Sequence, residues 1–147
     1  MRLWHKDLIP FLPRQQLLGQ WRECCLIARQ LATNGTPNHI LVNRIMDYPI
    51  EDFMYYGVLV INDMKRRGYT VNEEAFRRWF NINEPLIRKI PISYIYGIRI
   101  VFPGWHDDIY LRECLYNLEE KYRAGGITQD EWDYVYSAFC DFTPLIH

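Results

Sequence analysis

Apolar residues recur every three or four positions over most of this chain, the period of a helix with one buried face. Pro10 and Pro13 delay the first such pattern to about Arg14, after which Leu17, Trp21, Cys24, Cys25, Ala28 and Leu31 share one side. "TNGTPN", residues 33–38, places Gly and Pro at turn positions and predicts a loop. A second helical pattern runs from about His39 to Met46. Pro49 suits the first turn of a longer helix, because its missing N–H has no intrahelical partner there anyway. Phe53, Gly57, Val60, Ile61 and Met64 form that helix's apolar stripe, and Gly68 marks its stop. Residues 73–80 predict a short helix. Residues 81–105, "NINEPLIRKIPISYIYGIRIVFPGW", carry prolines and β-branched residues without a helical period. They predict a loop-rich segment around 81–104 with room for a short strand. Asp107 or Asp108 can cap the next helix, with Leu111, Cys114, Leu115, Leu118 and Tyr122 on its buried side. Thr128 and Glu131 have capping-box spacing. Trp132, Val135, Tyr136 and Phe139 follow as the stripe of a last helix. The pattern predicts an all-α, compact protein with three or more main helices, in a single domain over residues 1–147.

The 147 residues are 49% hydrophobic and 16% aromatic, ordinary for a globular core and rich in rings. No apolar run reaches the length of a membrane span. "MRLWHKDLIPFLPRQQ" carries a charge every few residues and lacks the apolar centre of a signal peptide. Cys24, Cys25, Cys114 and Cys140 include no paired C-x-x-C spacing. They point to a reduced, cytoplasmic chain with thiols used as small apolar groups. The net charge of −1 hides an asymmetry. Residues 1–100 hold 14 Lys and Arg against 9 Asp and Glu, and residues 101–147 hold 3 against 9. A basic body with an acidic end suits a polyanion bound through the body alone, and it equally suits ordinary solvated helices.

The first helix carries the most informative polar face. With about 100° of rotation per residue and Glu23 set at zero, the core stripe falls between about 80° and 200°. Gln16, Gly19, Gln20 and Gln30 surround Glu23, and Gln15, Arg22 and Arg29 line one edge. Only Leu26 and Ile27 interrupt the polar side. Gly19 costs a helix roughly 1 kcal/mol relative to alanine. Two readings stay open. One is a solvated face; the other is a carboxylate where a ligand approaches the backbone, with amides and guanidiniums to bond nucleic acid.

"MRLWHKDLIPFLPRQQLLGQWRECC", residues 1–25, resembles the N-terminus of the pyrimidine-dimer DNA glycosylase family, the phage endonuclease V type. It is most similar to a bacterial branch of that family. "DFMYYGVLVINDMKRRGYTV", residues 52–71, and "FPGWHDDIYLRECLYNLEEK", residues 102–121, extend the resemblance. It implies an all-α domain that binds duplex DNA, kinks it and flips a nucleotide out. It also implies attack by an N-terminal α-amine on C1′ of the damaged nucleotide, a Schiff base, loss of the base and β-elimination of the strand. The essential glutamate of the family matches Glu23, its neighbouring arginine matches Arg22, and a glutamine at the DNA surface matches Gln15. Phage members begin Met-Thr and lose the methionine, whereas residue 2 here is Arg2, so the expected nucleophile is the amine of Met1. The phage enzymes' histidine after that glutamine is Gln16 here, and their aromatic C-terminal tail has no counterpart.

The resemblance therefore implies a DNA glycosylase with AP-lyase activity on cyclobutane pyrimidine dimers. Its alternatives are a glycosylase for another modified base, or a DNA- or partner-binding relative without lyase chemistry. Met1 and Glu23 are the expected catalytic residues. Arg2, Gln15, Gln16, Arg22, Arg29, Lys65, Arg66 and Arg67 are the expected DNA contacts, with Arg77, Arg78, Arg88 and Lys89 as further basic positions. His5, Gly19 and His106 are candidates to line the site. The helix-C-terminal position of Lys65 to Arg67 also suits the helix dipole without any ligand. Asp107 and Asp108 beside His106 read as helix caps rather than metal ligands. The expected partner is double-stranded DNA met by a monomer, with no metal and no cofactor.

Overall fold

A computed structural model of the protein describes residues 2–80, 90 and 101–142. Those residues are helical and loop structure, with no strand among them. The chain opens on extended backbone, turns through a 3-10 helix at Lys6–Phe11, and enters α1, Arg14–Asn34. Pro13 cannot cap α1 with its side chain. The Arg14 N–H instead bonds the Glu131 carboxylate, 2.9 Å away, from the far end of the chain. Gly35 ends α1 at φ 76°, a left-handed position that glycine adopts without Cβ strain.

The second helix, α2, spans Ile50–Arg66, with Gly68 just beyond it at φ 86°. Phe53, Gly57, Val60, Ile61 and Met64 are all buried, as the spacing predicts, and Tyr56 is buried with them. A Cβ on Gly57 would overlap the Phe76 ring, which packs directly on the α2 backbone. Phe76 belongs to the short α3, Glu74–Arg77, which a 3-10 turn at Arg78–Phe80 continues. Arg67 reaches Leu12 just before α1, while Tyr56 meets Gln20 within α1. The two long helices are therefore antiparallel.

Asp107 caps α4, Asp108–Arg123, by accepting the Tyr110 N–H at 2.9 Å. Thr128 and Glu131 form the expected capping box at the start of α5, Gln129–Phe139. Glu131 thus caps its own helix and holds the first turn of α1.

Three expectations need correcting. Residues 39–46 do not form a regular helix; a turn leads to a 3-10 helix at Asn43–Asp47. There the Asn43 side chain accepts the His39 N–H and His39 Nδ1 accepts the Leu41 N–H. Such side-chain bonds compete with the helical ladder. Tyr136 is exposed, and α5 buries Trp132, Val135 and Phe139 instead. In α1, Ile27 and Gln20 are buried although they sit on the polar side by angle. The buried arc of α1 is rotated toward Glu23, because the N-terminal segment lies along that flank. Most of the expected loop-rich segment lies outside the described residues, as do Arg88 and Lys89. Within it Val101 and Phe102 are buried, Phe102 at φ 52°.

Candidate active site

An extended N-terminal segment cannot satisfy its own backbone groups, so burial forces it to find partners. Residues 2–5 find them on α1, α2 and α4. Arg2 N–H donates to Glu23 Oε2 at 3.3 Å. Gln20 Nε2 donates to the Arg2 carbonyl at 3.0 Å and to the same Glu23 Oε2 at 3.3 Å. Trp4 N–H donates to Gln20 Oε1 at 2.7 Å. From α2 the Tyr56 hydroxyl reaches both the Trp4 carbonyl, at 2.5 Å, and Gln20 Oε1, at 2.9 Å. From α4 the Tyr110 hydroxyl donates to the Leu3 carbonyl. Burial raises both phenols well above the ordinary tyrosine range, so both keep their protons and act as donors.

Glu23 is half-buried, and both of its bonds land on Oε2; Oε1 accepts none from a described residue. Arg22 and Arg29 are exposed on the adjoining edge, and no ion pair with a described residue holds either. Gln15 is exposed. Gln16 is half-buried, with an Oε1 that has no hydrogen bond. A Cβ on Gly19 would meet only Arg22 Nη2, at 3.8 Å, so nothing in the fold requires a glycine there. The Arg2 guanidinium lies over Trp4, 5.6 Å from the ring centroid. It also lines a groove of about 490 Å³ with Arg112, Glu113, Tyr116 and Asn117 of α4. Met1 lies outside the described residues.

The remaining expected site residues are engaged elsewhere. His5 Nδ1 caps the first 3-10 helix by accepting the Asp7 N–H, and its ring stacks on His106 at 5.2 Å. Burial lowers the His5 pKa, with Asp7 opposing. His106 Nδ1 accepts the Lys6 N–H at 3.0 Å, which puts the ring proton on Nε2, where it has no partner. Burial, helped by His5, Lys6 and Arg44, drives the His106 pKa to about 2. Neither histidine is hydrogen-bonded to Glu23; both tie the N-terminal segment to the start of α4.

The basic cluster after α2 turns inward. Asp63, 6% exposed, binds Arg66 and Arg67. Arg67 also donates to the carbonyls of Leu12, Ile9 and Pro10, so its fork clamps the first 3-10 helix. Arg66 donates to the Pro10 carbonyl, and Lys65 pairs with Glu73 at 3.5 Å. Arg77 pairs with Glu74, and Arg78 bonds the Glu74 carbonyl. Cys24, next to Glu23 in sequence, points into the core, where burial pushes its thiol well above the usual range.

Sequence spacing missed Gln20 and Tyr56. Gln20 sits one turn before Glu23, and only the course of the N-terminal segment shows that this amide is buried. Tyr56 is not among the stripe positions that spacing assigns to α2.

Among the described residues no helix is long and apolar enough to cross a membrane, and no three His, Cys, Asp or Glu side chains gather as metal ligands. A helical domain that folds its own N-terminal segment onto a helix-borne carboxylate is the class these contacts define. The family model for pyrimidine dimer DNA glycosylase matches residues 1–85, more than half the chain and all of α1 and α2. The chain belongs to the pyrimidine dimer DNA glycosylase family. Neither a curated protein nor a solved structure matches it. Membership makes DNA carrying a damaged base its substrate and excision of that base its activity.

Proposed function

We propose that this chain excises cyclobutane pyrimidine dimers and then nicks the strand as an AP lyase, through an imine on its N-terminal α-amine. The observation that carries the reading is the Arg2 backbone nitrogen, 3.3 Å from the Glu23 carboxylate. An α-amine ordinarily titrates at about 7.7–8.0, so a useful fraction is unprotonated near neutral pH. Its lone pair attacks C1′ of the flipped nucleotide, and the glycosidic pair leaves with the base. Glu23 takes one proton from the attached nitrogen, whose pair then expels O4′ from C1′; the sugar ring opens to the iminium, and the proton passes from Glu23 to O4′. Loss of a C2′ proton then expels the 3′ phosphate, and water hydrolyses the imine to return the amine. Glu23 also stabilises the positive charge that develops on the sugar.

The amine is carried either by Met1 or, once the methionine is removed, by Arg2. In the second form it is the very nitrogen that rests on Glu23, which favours that form over a retained Met1. Arg22, Arg29, Gln15, Gln16 and the Arg2 side chain hold DNA around it. Lys65 and Arg66, the more exposed members of their cluster, add phosphate contacts; Arg67 stays in its clamp. The chain works as a single-domain cytoplasmic monomer, without metal or cofactor.

Borohydride trapping tests this reading. Untagged protein is incubated with duplexes carrying a thymine dimer or an abasic site, and the reduced adduct is digested and weighed. An adduct on the N-terminal peptide, absent in Glu23→Gln, is expected from both duplexes, and its mass gives the residue bearing the amine. An adduct from the abasic duplex alone points to another modified base. DNA binding without any adduct leaves a binding-only relative.

A further inference from the structure

We infer that Gln20, oriented by the Arg2 and Trp4 backbone and buttressed by Tyr56, is the positioning residue of this site. The inference rests on the chemistry proposed above and concerns what sets its geometry before DNA arrives.

Gln20 is 1% exposed, yet all its hydrogen-bonding capacity is used. Its Oε1 accepts from Trp4 N and the Tyr56 hydroxyl, and its Nε2 donates to the Arg2 carbonyl and Glu23 Oε2. The pairing with residues 2 and 4 imitates a strand neighbour, with a side-chain amide in place of a second backbone. The fourth bond carries Glu23. One planar group therefore holds both the peptide that ends at the reactive nitrogen and the carboxylate that serves it. Rotating the amide by half a turn would set Oε1 against the Arg2 carbonyl and Glu23, and Nε2 against Trp4 N–H. Two of those encounters join acceptors and one joins donors. The Tyr56 hydroxyl has one proton for two acceptors, the Trp4 carbonyl at 2.5 Å and Gln20 Oε1 at 2.9 Å, so it buttresses an amide that the Trp4 N–H and the Arg2 carbonyl orient.

Only an amide does all of this. A carboxylate at position 20 could still accept from Trp4 and Tyr56, but it has no N–H for Arg2 or Glu23. It would also set a second negative charge within hydrogen-bond distance of Glu23. Placement errors of about 1 Å at a reacting centre cost on the order of 10²-fold in rate.

The test uses the untagged full chain and two near-isosteric variants, Gln20→Glu and Tyr56→Phe. Three quantities are read: the single-turnover trapping rate at saturating abasic duplex, the dissociation constant for that duplex, and the pH–rate profile. Gln20→Glu is expected to lower the rate by about 10²-fold. Its dissociation constant should stay within about threefold, and the acid limb of its profile should move to higher pH because two neighbouring carboxylates resist ionising together. Tyr56→Phe is expected to slow trapping by about tenfold, with the acid limb unmoved, since it loosens the amide without adding charge. A wild-type rate and profile in Gln20→Glu would overturn the positioning role alone. Rates that fall only in step with DNA affinity in both variants would also overturn it, as the mark of a merely structural contact. If Gln20→Glu fails to fold, Tyr56→Phe decides by the same split between rate and affinity. No adduct from the wild-type chain would overturn the imine chemistry and the positioning role together.

Discussion

Replacing Gly19 by alanine separates the needs of the fold from those of a ligand. Gly19 lies inside α1 on the face that carries Arg22 and Glu23. Glycine in a helix interior is about 0.5–1 kcal/mol worse than alanine. The added methyl would meet only Arg22 Nη2, at 3.8 Å, an ordinary contact at the tip of a flexible side chain. The free protein should therefore gain roughly 0.5–1 kcal/mol, a rise in Tm of roughly 1–4 °C for a chain of this size. If DNA approaches the α1 backbone here, the same methyl stands in its path. Affinity for an abasic duplex should then drop by about tenfold, or 1.4 kcal/mol. Thermal melting reads the first effect and fluorescence anisotropy the second. A lower Tm would refute the claim that the fold leaves this position free. A higher Tm with unchanged affinity would refute the placement of DNA on this face.

Gly57→Ala should do the opposite. Its Cβ collides with the buried Phe76 ring, and urea denaturation should show a loss of about 1–3 kcal/mol. Arg67→Met leaves Asp63 with one of its two partners and removes the guanidinium bonds to the carbonyls of Leu12, Ile9 and Pro10, of which Pro10 keeps Arg66 and Ile9 keeps the Leu12 N–H. It should cost about 2–4 kcal/mol in the same assay. The salt dependence of its DNA binding should stay that of the wild type, whereas Arg22→Ala should lower the slope by about one phosphate's worth; a lower slope in Arg67→Met would place it on DNA after all. Acid should destabilise the protein through His106, whose pKa is about 2 in the fold against an ordinary 6.5. Folded His106 stays neutral while the unfolded chain takes up the proton. Its stabilising contribution is complete above about pH 6.5 and declines below it by up to about 1.4 kcal/mol per pH unit. Urea midpoints between pH 4.5 and 7.5 measure the slope, and a slope unchanged in His106→Gln would refute the assignment.

Local rules carried much of this architecture. The α2 stripe, the stops at Gly35 and Gly68, the Asp107 cap and the Thr128–Glu131 box each depend on residues within a turn of one another. Spacing reads such features directly. Tertiary partners over long sequence separations decided the rest. Gln20 read as surface because helical angle locates a side chain relative to its own axis and says nothing of the extended N-terminal segment laid beside it. His106 read as a possible site residue through the family resemblance of its segment, although its ring accepts the Lys6 N–H; His5 did so because its type suits proton transfer, although its ring accepts the Asp7 N–H. Arg66 and Arg67 read as phosphate ligands for the same reason. The buried Asp63 one turn earlier was the available signal that their charge is partly neutralised within the helix.

The first residues of the chain take their final places from its later ones. Trp4 waits for Gln20, 16 positions on, then for Tyr56, 52 positions on; Lys6 waits for His106 and Leu3 for Tyr110, 100 and 107 positions on. During synthesis the amino end therefore emerges long before the start of α4, which supplies its last partners. The seat that Gln20, Tyr56 and Tyr110 give the amino end is thus finished late, and a chain cut short before α4 would lack part of it.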